Sequence, residues 1–244
     1  MVFIAKFFEK IVVSGNVTEV WRYEHLNVNS GGARERTGKN DAHNYANTQK
    51  MRRNTIRQLV CTNFDVKYSK FVTLTFDNLR DFDITDVKAC YAYFKNFIKR
   101  LQYRYKGFLY LAVVEFQDKR GRGAVHYHMI CNLPYIKKSE LQKLWGAGFV
   151  KINVIDKVDN IGAYVVKYMT KDTDDKRLCG LKAYYHSRDL EQPVEVTNWR
   201  DPDVDVFASV SELIKSKTPV YSAKYTSENA GVIEYLQFND TRNK

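Results

Sequence analysis

Apolar and polar residues alternate along Ala124–Asn132 (AVHYHMICN), and this period of two predicts a β-strand. Successive side chains of a strand point to opposite faces, so His126 and His128 share one face while Tyr127 points to the other. Two imidazoles on one face, two residues apart, are close enough to bind a single cation. The same pair also occurs by chance on a polar sheet face, so the motif alone does not establish a metal site.

A second segment, Asn160–Asp172 (NIGAYVVKYMTKD), has the apolar spacing of a helix. Residues four apart on a helix are neighbours, which brings Tyr164 close to Tyr168 and Lys167 close to Lys171. Two hydroxyls and two ammonium groups therefore lie in the same sector of this helix. Alone, such tyrosines are as readily explained as packing aromatics and such lysines as ordinary surface charges.

The segments around these two motifs alternate between strand and helix patterns. In chain order they predict a strand at Phe71–Phe76, a helix at Asp86–Tyr105 capped by Thr85, a strand at Phe108–Phe116, the histidine strand, a short helix from Ser139 to Trp145, a strand at Phe149–Ile155 and a helix at Asn160–Lys171. This is the order of a ferredoxin-like, or RRM-like, split unit. We therefore predict an α+β fold with an antiparallel sheet, helices packed on one face and the histidine face left free for a ligand.

The segments outside this core predict a division of the chain into three parts. We expect an N-terminal extension over residues 1–70, a core over 71–190 and a C-terminal extension of unknown role over 191–244. The first extension begins with a strand or hairpin pattern, expected to pack on the core, and includes a helix at about Thr48–Thr62. One side of this helix is basic through Lys50, Arg52, Arg53 and Arg57. That side either faces solvent or contacts DNA phosphates.

The charge of the chain favours a polyanionic partner. The formal net charge is +11 and the pI about 9.3, which fits nucleic acid but also other basic proteins such as those of the ribosome. Seventeen Tyr and fourteen Phe, many of them near Lys or Arg, are typical of surfaces that stack on single-stranded bases. A glycine-rich basic turn, Gln117–Gly123, adds Arg120 and Arg122 as candidate DNA contacts.

Other patterns exclude several classes of protein. Cys61, Cys90, Cys131 and Cys179 are scattered without a C-x-x-C spacing, which argues against a zinc knuckle and a disulfide framework and indicates reduced thiols. The chain has no G-x-x-x-x-G-K-[ST] phosphate loop, so we expect no attached NTP-driven helicase. The apolar start of the chain is interrupted by charges and fits neither a signal peptide nor a membrane span. We expect a cytoplasmic protein with no membrane partner.

The two histidines leave coordination positions for a further protein ligand. Glu115, at the end of the preceding predicted strand, is the natural candidate, but whether its side chain shares the histidine face depends on the strand register. Two histidines and one carboxylate suit Mg²⁺ or Mn²⁺ in phosphate chemistry, and also zinc. The basic charge and the nearby tyrosines favour the phosphate interpretation.

The tyrosines indicate which phosphate chemistry this would be. A phenol with a pKa near ~10 is a weak nucleophile until a neighbour activates it. A metal ion would polarise the phosphate, and Lys167 would stabilise developing negative charge or ease deprotonation of the phenol. Attack by tyrosine on DNA leaves a 3′-hydroxyl and a 5′-phosphotyrosine, a step that can reverse as rejoining. Two tyrosines on adjacent turns, Tyr164 and Tyr168, would permit successive cuts.

These motifs resemble those of the HUH endonuclease superfamily, specifically the two-tyrosine rolling-circle replication initiators (Rep proteins) of small phages and bacterial plasmids. FVTLTF at Phe71–Phe76 resembles the first family motif, AVHYHMICNLP at Ala124–Pro134 the second and NIGAYVVKYMTKD at Asn160–Asp172 the third. LWGAGFVKINVID at Leu144–Asp156 is also similar to these proteins. The resemblance covers about half of the chain, and Tyr127 departs from it by occupying a position that is normally apolar.

The resemblance implies a site, a substrate and partners. It implies His126 and His128 as metal ligands with Glu115 as the third, Mg²⁺ or Mn²⁺ as the cofactor, and Tyr164 and Tyr168 as nucleophiles. The implied substrate is single-stranded or hairpin origin DNA in a bacterial host, whose helicase and polymerase would be the partners. Tyrosines that follow the histidines favour a Rep protein over a relaxase or transposase of the same chemistry. A non-catalytic single-stranded nucleic-acid binder on an RRM-like sheet remains the alternative from another class.

Overall fold

The structure is a computed structural model, and it describes residues 8–24, 41–78, 81–118, 121–155, 158, 160–169, 175–178, 180–199, 214, 216–227 and 230–242. The elements are, in chain order, β1 (Phe8–Ser14), β2 (Val17–Tyr23), α1 (Asp41–Asn63), β3 (Lys70–Phe76), α2 (Val87–Arg104), β4 (Tyr110–Gln117), β5 (Ala124–Cys131), α3 (Lys138–Trp145), β6 (Gly148–Val154), α4 (Ile161–Met169), a 3-10 turn at Lys176–Leu178, β7 (Tyr184–His186), β8 (Val194–Trp199), β9 (Tyr221–Ser227) and β10 (Gly231–Asn239). They form two compact units, residues 46–191 and residues 1–45 with 192–244.

The unit of residues 46–191 is built on a five-stranded sheet in the order β6-β3-β5-β4-β7, with every neighbouring pair antiparallel. This confirms the predicted α+β fold with an antiparallel sheet. Helices α2 and α3 pack on one face, which is the face of Tyr127 and Val125. Val72 and Leu74 from β3 and Ala112 from β4 complete the core on this side.

Helix α2 forms as the apolar spacing predicts, because its buried residues recur on one side of the helix. They are Val87, Cys90, Phe94, Phe97, Ile98 and Leu101. The cap is Asp86 rather than Thr85, since the Asp86 carboxylate accepts a hydrogen bond from the Lys88 amide. Thr85 instead donates hydrogen bonds from its amide and its hydroxyl to the Asp83 carboxylate. Helix α3 likewise begins one residue before Ser139, with Lys137 in the cap position and no capping side chain.

The opposite face of this sheet is not left free, which corrects the sequence-based expectation. Helices α1 and α4 cover part of it, and their side chains pack on apolar residues of the central strands. The sheet residues in this second core are Phe71, Leu111, Val113 and Ile130. Apolar positions on both faces of a sheet need cover on both faces. What remains around His126 and His128 is the polar part of the face.

The other unit contains a second antiparallel sheet, in the order β8-β1-β2-β10-β9. The N-terminal hairpin β1–β2 pairs through β1 with β8 and through β2 with β10, so both ends of the chain contribute to one sheet. Ile11, Val20, Phe238 and Ile214 form its buried core. Sequence patterns alone did not relate the two ends of the chain. Among the described residues, no helix has the length and apolar character needed to cross a membrane.

Candidate metal centre and neighbouring tyrosine

The strand register brings Glu115 and both histidines to one face of the sheet. In the β4–β5 pair, Glu115 lies directly opposite His126 and Val113 lies opposite His128. In the β3–β5 pair, Thr75 lies opposite His126 and Thr73 opposite His128. Residues opposite each other in antiparallel strands point to the same face. The register that the sequence left open therefore places the carboxylate beside the imidazoles.

The three side chains converge closely enough to bind one ion. Each offers one ligand atom, and these atoms lie within 4.8 Å of one another. His128 is oriented on both sides, since its Nε2 hydrogen-bonds to Glu115 Oε2 and its Nδ1 lies 3.2 Å from Thr73 Oγ1. Partners of this kind fix the ring orientation of a ligating histidine. Glu115, His126 and His128 are called the metal triad below.

His126 has the properties of a neutral ligand. Its side chain is 8% exposed, and its Nε2 is buried without a hydrogen-bond partner among the described residues. Burial, reinforced by the charges of His128 and Arg122 and opposed by that of Glu115, lowers the pKa of His126 to about 4. A buried polar atom without a partner costs about 1–3 kcal/mol, which a bound cation would offset. The metal triad therefore fits a divalent metal ion.

Tyr164 is placed on the same side of the sheet by helix α4. The helix begins after Asn160, whose Oδ1 accepts a hydrogen bond of 2.8 Å from the Ala163 amide. Half-buried Tyr164 packs its ring edge-on against Phe71, with centroids 6.5 Å apart. Phe71 in turn stacks on His128 at 5.7 Å. One aromatic ring thus separates the Tyr164 ring from a member of the metal triad.

Helix α4 is held against helix α1 at a glycine. A Cβ atom added to Gly162 would lie 2.5 Å from Cys61 Sγ and 2.6 Å from the Arg57 carbonyl oxygen. Cys61 Sγ also lies 3.7 Å from Asn160 Oδ1, the atom that caps α4. Since α1 packs on the same sheet face, this close approach contributes to fixing the first turn of α4 and thereby Tyr164.

The other predicted site residues on and after α4 are placed only in part. Lys167 is exposed on α4, one turn after Tyr164. The side chain of Tyr168 and the whole of Lys171 lie outside the described residues, so their predicted roles stay predictions.

The arginines predicted to contact DNA differ in their surroundings. Arg53 is exposed on α1, whereas Arg52 and Arg57 are half-buried. Arg122 is engaged within the fold, since it donates hydrogen bonds to Asn78 Oδ1 and to the Phe76 carbonyl oxygen. Arg122 thus ties the β4–β5 turn to the end of β3. Arg120 lies outside the described residues.

Sequence reasoning missed two residues that orient the site. Thr73 contacts His128, and Phe71 connects His128 to Tyr164. Both lie in the FVTLTF strand, where the period of two places them on one face. The period of two was visible in the sequence, but it could identify Phe71 and Thr73 as neighbours of His128 only after the register of β3 against β5 was known.

A third missed group lies near the turn after β4. Arg177 pairs with Asp118 and Asp175 and lies over the Phe116 ring at 3.7 Å from its centroid. The segment that follows α4 is thereby attached to the end of β4, the strand that carries Glu115.

Comparison with known proteins gives one match. Residues 69–173 match the sequence model of a family of replication-associated proteins, the ORF2 type. No curated protein and no solved structure matches the chain. The matched segment contains the metal triad as well as Tyr164, Tyr168 and Lys167. This segment is therefore similar to replication-associated proteins, as expected of a Rep-type replication initiator.

Proposed function

We propose that this protein is a replication initiator that nicks and rejoins single-stranded DNA at a plasmid or phage origin through a 5′-phosphotyrosine intermediate. The observation that carries the proposal is that Phe71 contacts both Tyr164 and His128 of the metal triad, within a segment similar to replication-associated proteins. Rolling-circle replication is the process that uses this chemistry.

The metal triad would bind the ion, with Mg²⁺ or Mn²⁺ as the expected metals. A bound divalent cation would polarise the scissile phosphate and stabilise its developing negative charge. The protein prepares this site in two ways. Burial keeps His126 neutral near pH 7, and Thr73 fixes the ring of His128. Neutral, oriented imidazoles are the form that binds metal.

Tyr164 is the proposed nucleophile. Its Oη attacks the phosphorus and loses its proton to solvent, while the bond between phosphorus and the 3′-oxygen breaks. The 3′-oxygen takes up a proton and leaves as a hydroxyl, and the 5′-phosphate stays on Tyr164. Packing against Phe71 limits the orientations of the Tyr164 ring. Lys167, exposed one turn further along α4, would neutralise charge on the phosphate.

The reverse reaction rejoins DNA, because a free 3′-hydroxyl can displace the tyrosine from the phosphate. Tyr168 follows Tyr164 by one helical turn in the sequence. In the proposal it accepts a second strand while Tyr164 holds the first. This assignment rests on spacing and on the resemblance of the third motif.

The test is formation of a covalent protein–DNA adduct with candidate origin oligonucleotides and Mn²⁺, detected as a slow band on a denaturing gel. We expect Tyr164→Phe to reduce the adduct strongly and Tyr164→Phe/Tyr168→Phe to abolish it. Tyr103→Phe is the matched control, because Tyr103 is 88% exposed on α2. An adduct that persists in the double variant would refute the proposed chemistry.

Chelating the metal ion distinguishes a nicking enzyme from a protein that only binds DNA. With EDTA, a metal-dependent nicking enzyme loses the adduct but keeps its electrostatic affinity for single strands. A binding protein would show no adduct under either condition and the same affinity in both.

A further inference from the structure

A groove of about 730 Å³ lies beside strand β7 in the unit of residues 46–191. Strand β7 is an edge strand that pairs only with β4 among the described strands. Helix α2 supplies one wall through Tyr91, Lys95 and Lys99, and the segment of β7 supplies the other. This volume lies within the range of about 300–1,000 Å³ that is typical of ligand-binding clefts.

The groove concentrates positive charge. Its lining contains Lys95, Lys99, Lys182, Arg188 and Arg52 but a single carboxylate, Asp189. Lys95, Lys99, Lys182 and Arg188 are exposed, and none of these four forms an ion pair within the described part of the chain. Five cations gathered in a recess with a single carboxylate attract an anion with several charges.

The groove also contains aromatic rings, which an acidic peptide would not require. Tyr91 and Tyr185 stack with centroids 4.3 Å apart, and Tyr184 stacks on His186 at 5.8 Å. The His186 side chain is exposed. Rings beside lysines and arginines are the combination that binds single-stranded nucleic acid, since bases stack while phosphates contact the cations.

The sheet register connects this groove to the metal triad. Tyr184 lies opposite Val113 on β4, and Val113 lies opposite His128 on β5. Neighbouring strands are about 4.8 Å apart, so the backbone at Tyr184 is two strand spacings, about 10 Å, from that at His128. The lysines of α2 lie on the other face of the sheet from the metal triad, so a single strand held in the groove would pass around the edge strand β7 to reach it.

We propose that the groove between α2 and β7 binds the single-stranded DNA that flanks the scissile phosphate, with Lys95, Lys99, Lys182 and Arg188 on its phosphates and His186 against a base. That the bound strand flanks a cleaved bond rests on the proposed function. Binding of the strand itself does not rest on the proposed function, because it requires neither a metal ion nor the nucleophile Tyr164.

The test measures binding of fluorescently labelled oligo(dT) by anisotropy in EDTA, using the full chain. Lys95→Ala/Lys182→Ala removes one cation from each wall of the groove. We expect affinity to fall on the order of tenfold at 0.1 M salt and the salt slope to decrease by about 1.4, since each phosphate contact on a single strand contributes about 0.7. Lys137→Ala/Lys138→Ala, at exposed positions beside α3, removes the same charge and should change both quantities much less.

A second variant tests stacking separately from charge. His186→Ala should weaken oligo(dT) binding several-fold with an unchanged salt slope, because it removes a base contact and no phosphate contact. Unlabelled poly-glutamate should compete poorly, and a DNA duplex of equal length should bind less tightly. Equal affinities of the Lys95/Lys182 and Lys137/Lys138 variants, or equal competition by poly-glutamate, would overturn the groove assignment.

These measurements separate the groove from the nicking chemistry. If the groove variants lose oligo(dT) affinity but no adduct forms with any origin oligonucleotide, the groove stands and the proposed function fails. If wild type forms the adduct while the groove variants bind like their control, the groove assignment fails and the proposed function stands.

Discussion

At the scale of single residues, His126 combines burial with a ring nitrogen that has no hydrogen-bond partner in the described structure. A histidine with a structural role would have that nitrogen bonded. His128, by contrast, is oriented by Thr73 and Glu115. The site thus contains one imidazole whose direction is fixed and one whose lone pair is available, which suits a shared ion.

The depressed pKa of His126 predicts a pH dependence of stability in EDTA. The pKa is about 4 in the folded chain against about 6.5 when unfolded. Below pH 6.5 the His126 imidazole takes up a proton in the unfolded chain, whereas in the folded chain it stays neutral until near pH 4. The free energy of unfolding should therefore fall as pH decreases through this window, by up to about 3 kcal/mol.

Denaturant titrations at several pH values measure this effect. His126→Gln should flatten the decrease between pH 6.5 and 4, whereas His186→Gln, at an exposed position, should leave it unchanged. Parallel curves for wild type and His126→Gln would show that His126 titrates normally.

At the scale of elements, the site depends on how α4 meets α1. Gly162 is the point of closest approach, and its neighbours there include the backbone carbonyl of Arg57. Backbone atoms within a helix cannot move aside as a flexible side chain can. The first turn of α4, which precedes Tyr164, is therefore constrained by a helix that sequence analysis placed in a separate extension.

We predict that Gly162→Ala destabilises the protein although alanine favours a helix. The helical preference for alanine is about 1 kcal/mol, but the new Cβ would lie 2.5 Å from Cys61 Sγ, and such overpacking costs about 1–3 kcal/mol. Ala163→Gly, at the exposed neighbouring position, should be destabilising through helical preference alone. Thermal unfolding compares the two. A stabilised Gly162→Ala variant would show that α1 and α4 do not meet this closely.

Helix α1 also carries arginines that were predicted to contact phosphates, and Arg52 lines the groove beside β7. We predict that Arg52→Ala/Arg53→Ala lowers the salt slope of single-strand binding by about 0.7 for each arginine that contacts a phosphate, about 1.4 in all. Lys138→Ala/Lys143→Ala on α3 removes the same charge and serves as the control. An unchanged slope in the arginine variant would remove α1 from the DNA interface.

At the scale of the whole molecule, charge separates between the two units. Residues 46–191 contain 27 Lys and Arg against 15 Asp and Glu, while the other unit contains 12 against 13. The excess positive charge thus lies in the unit that contains the metal triad, the groove and the segment similar to replication-associated proteins. The net charge of the whole chain conceals this division.

We predict that Mn²⁺ slows amide hydrogen exchange in β4 and β5 more than in β1, β2 and β10. The metal triad lies on β4 and β5, and the other three strands belong to a sheet with its own core. A ligand stabilises the structure that it binds. Glu115→Gln should remove the protection, and Glu140→Gln on α3, whose carboxylate pairs with Arg104, should not. Equal protection in both units, or protection retained in Glu115→Gln, would place the ion elsewhere.

The sequence by itself determined features that depend on neighbouring residues. The period of two in AVHYHMICN placed His126 and His128 on one face, and the spacing of apolar residues identified α2 with its buried side. Periodicity is local, since a residue and its neighbours along the chain fix which way side chains point. The α+β class follows from the order of such elements.

The tertiary structure decided everything that depends on contacts between distant segments. The register of β4 against β5 set Glu115 opposite His126, helices α1 and α4 covered part of the face expected to be free, and the chain ends joined in one sheet. A shift of one residue in register would turn Glu115 to the other face without altering any local pattern. Burial of side chains that lie far apart in the sequence stabilises one register over the others. Local periodicity cannot indicate which register this is, because it depends only on residues that are neighbours along the chain.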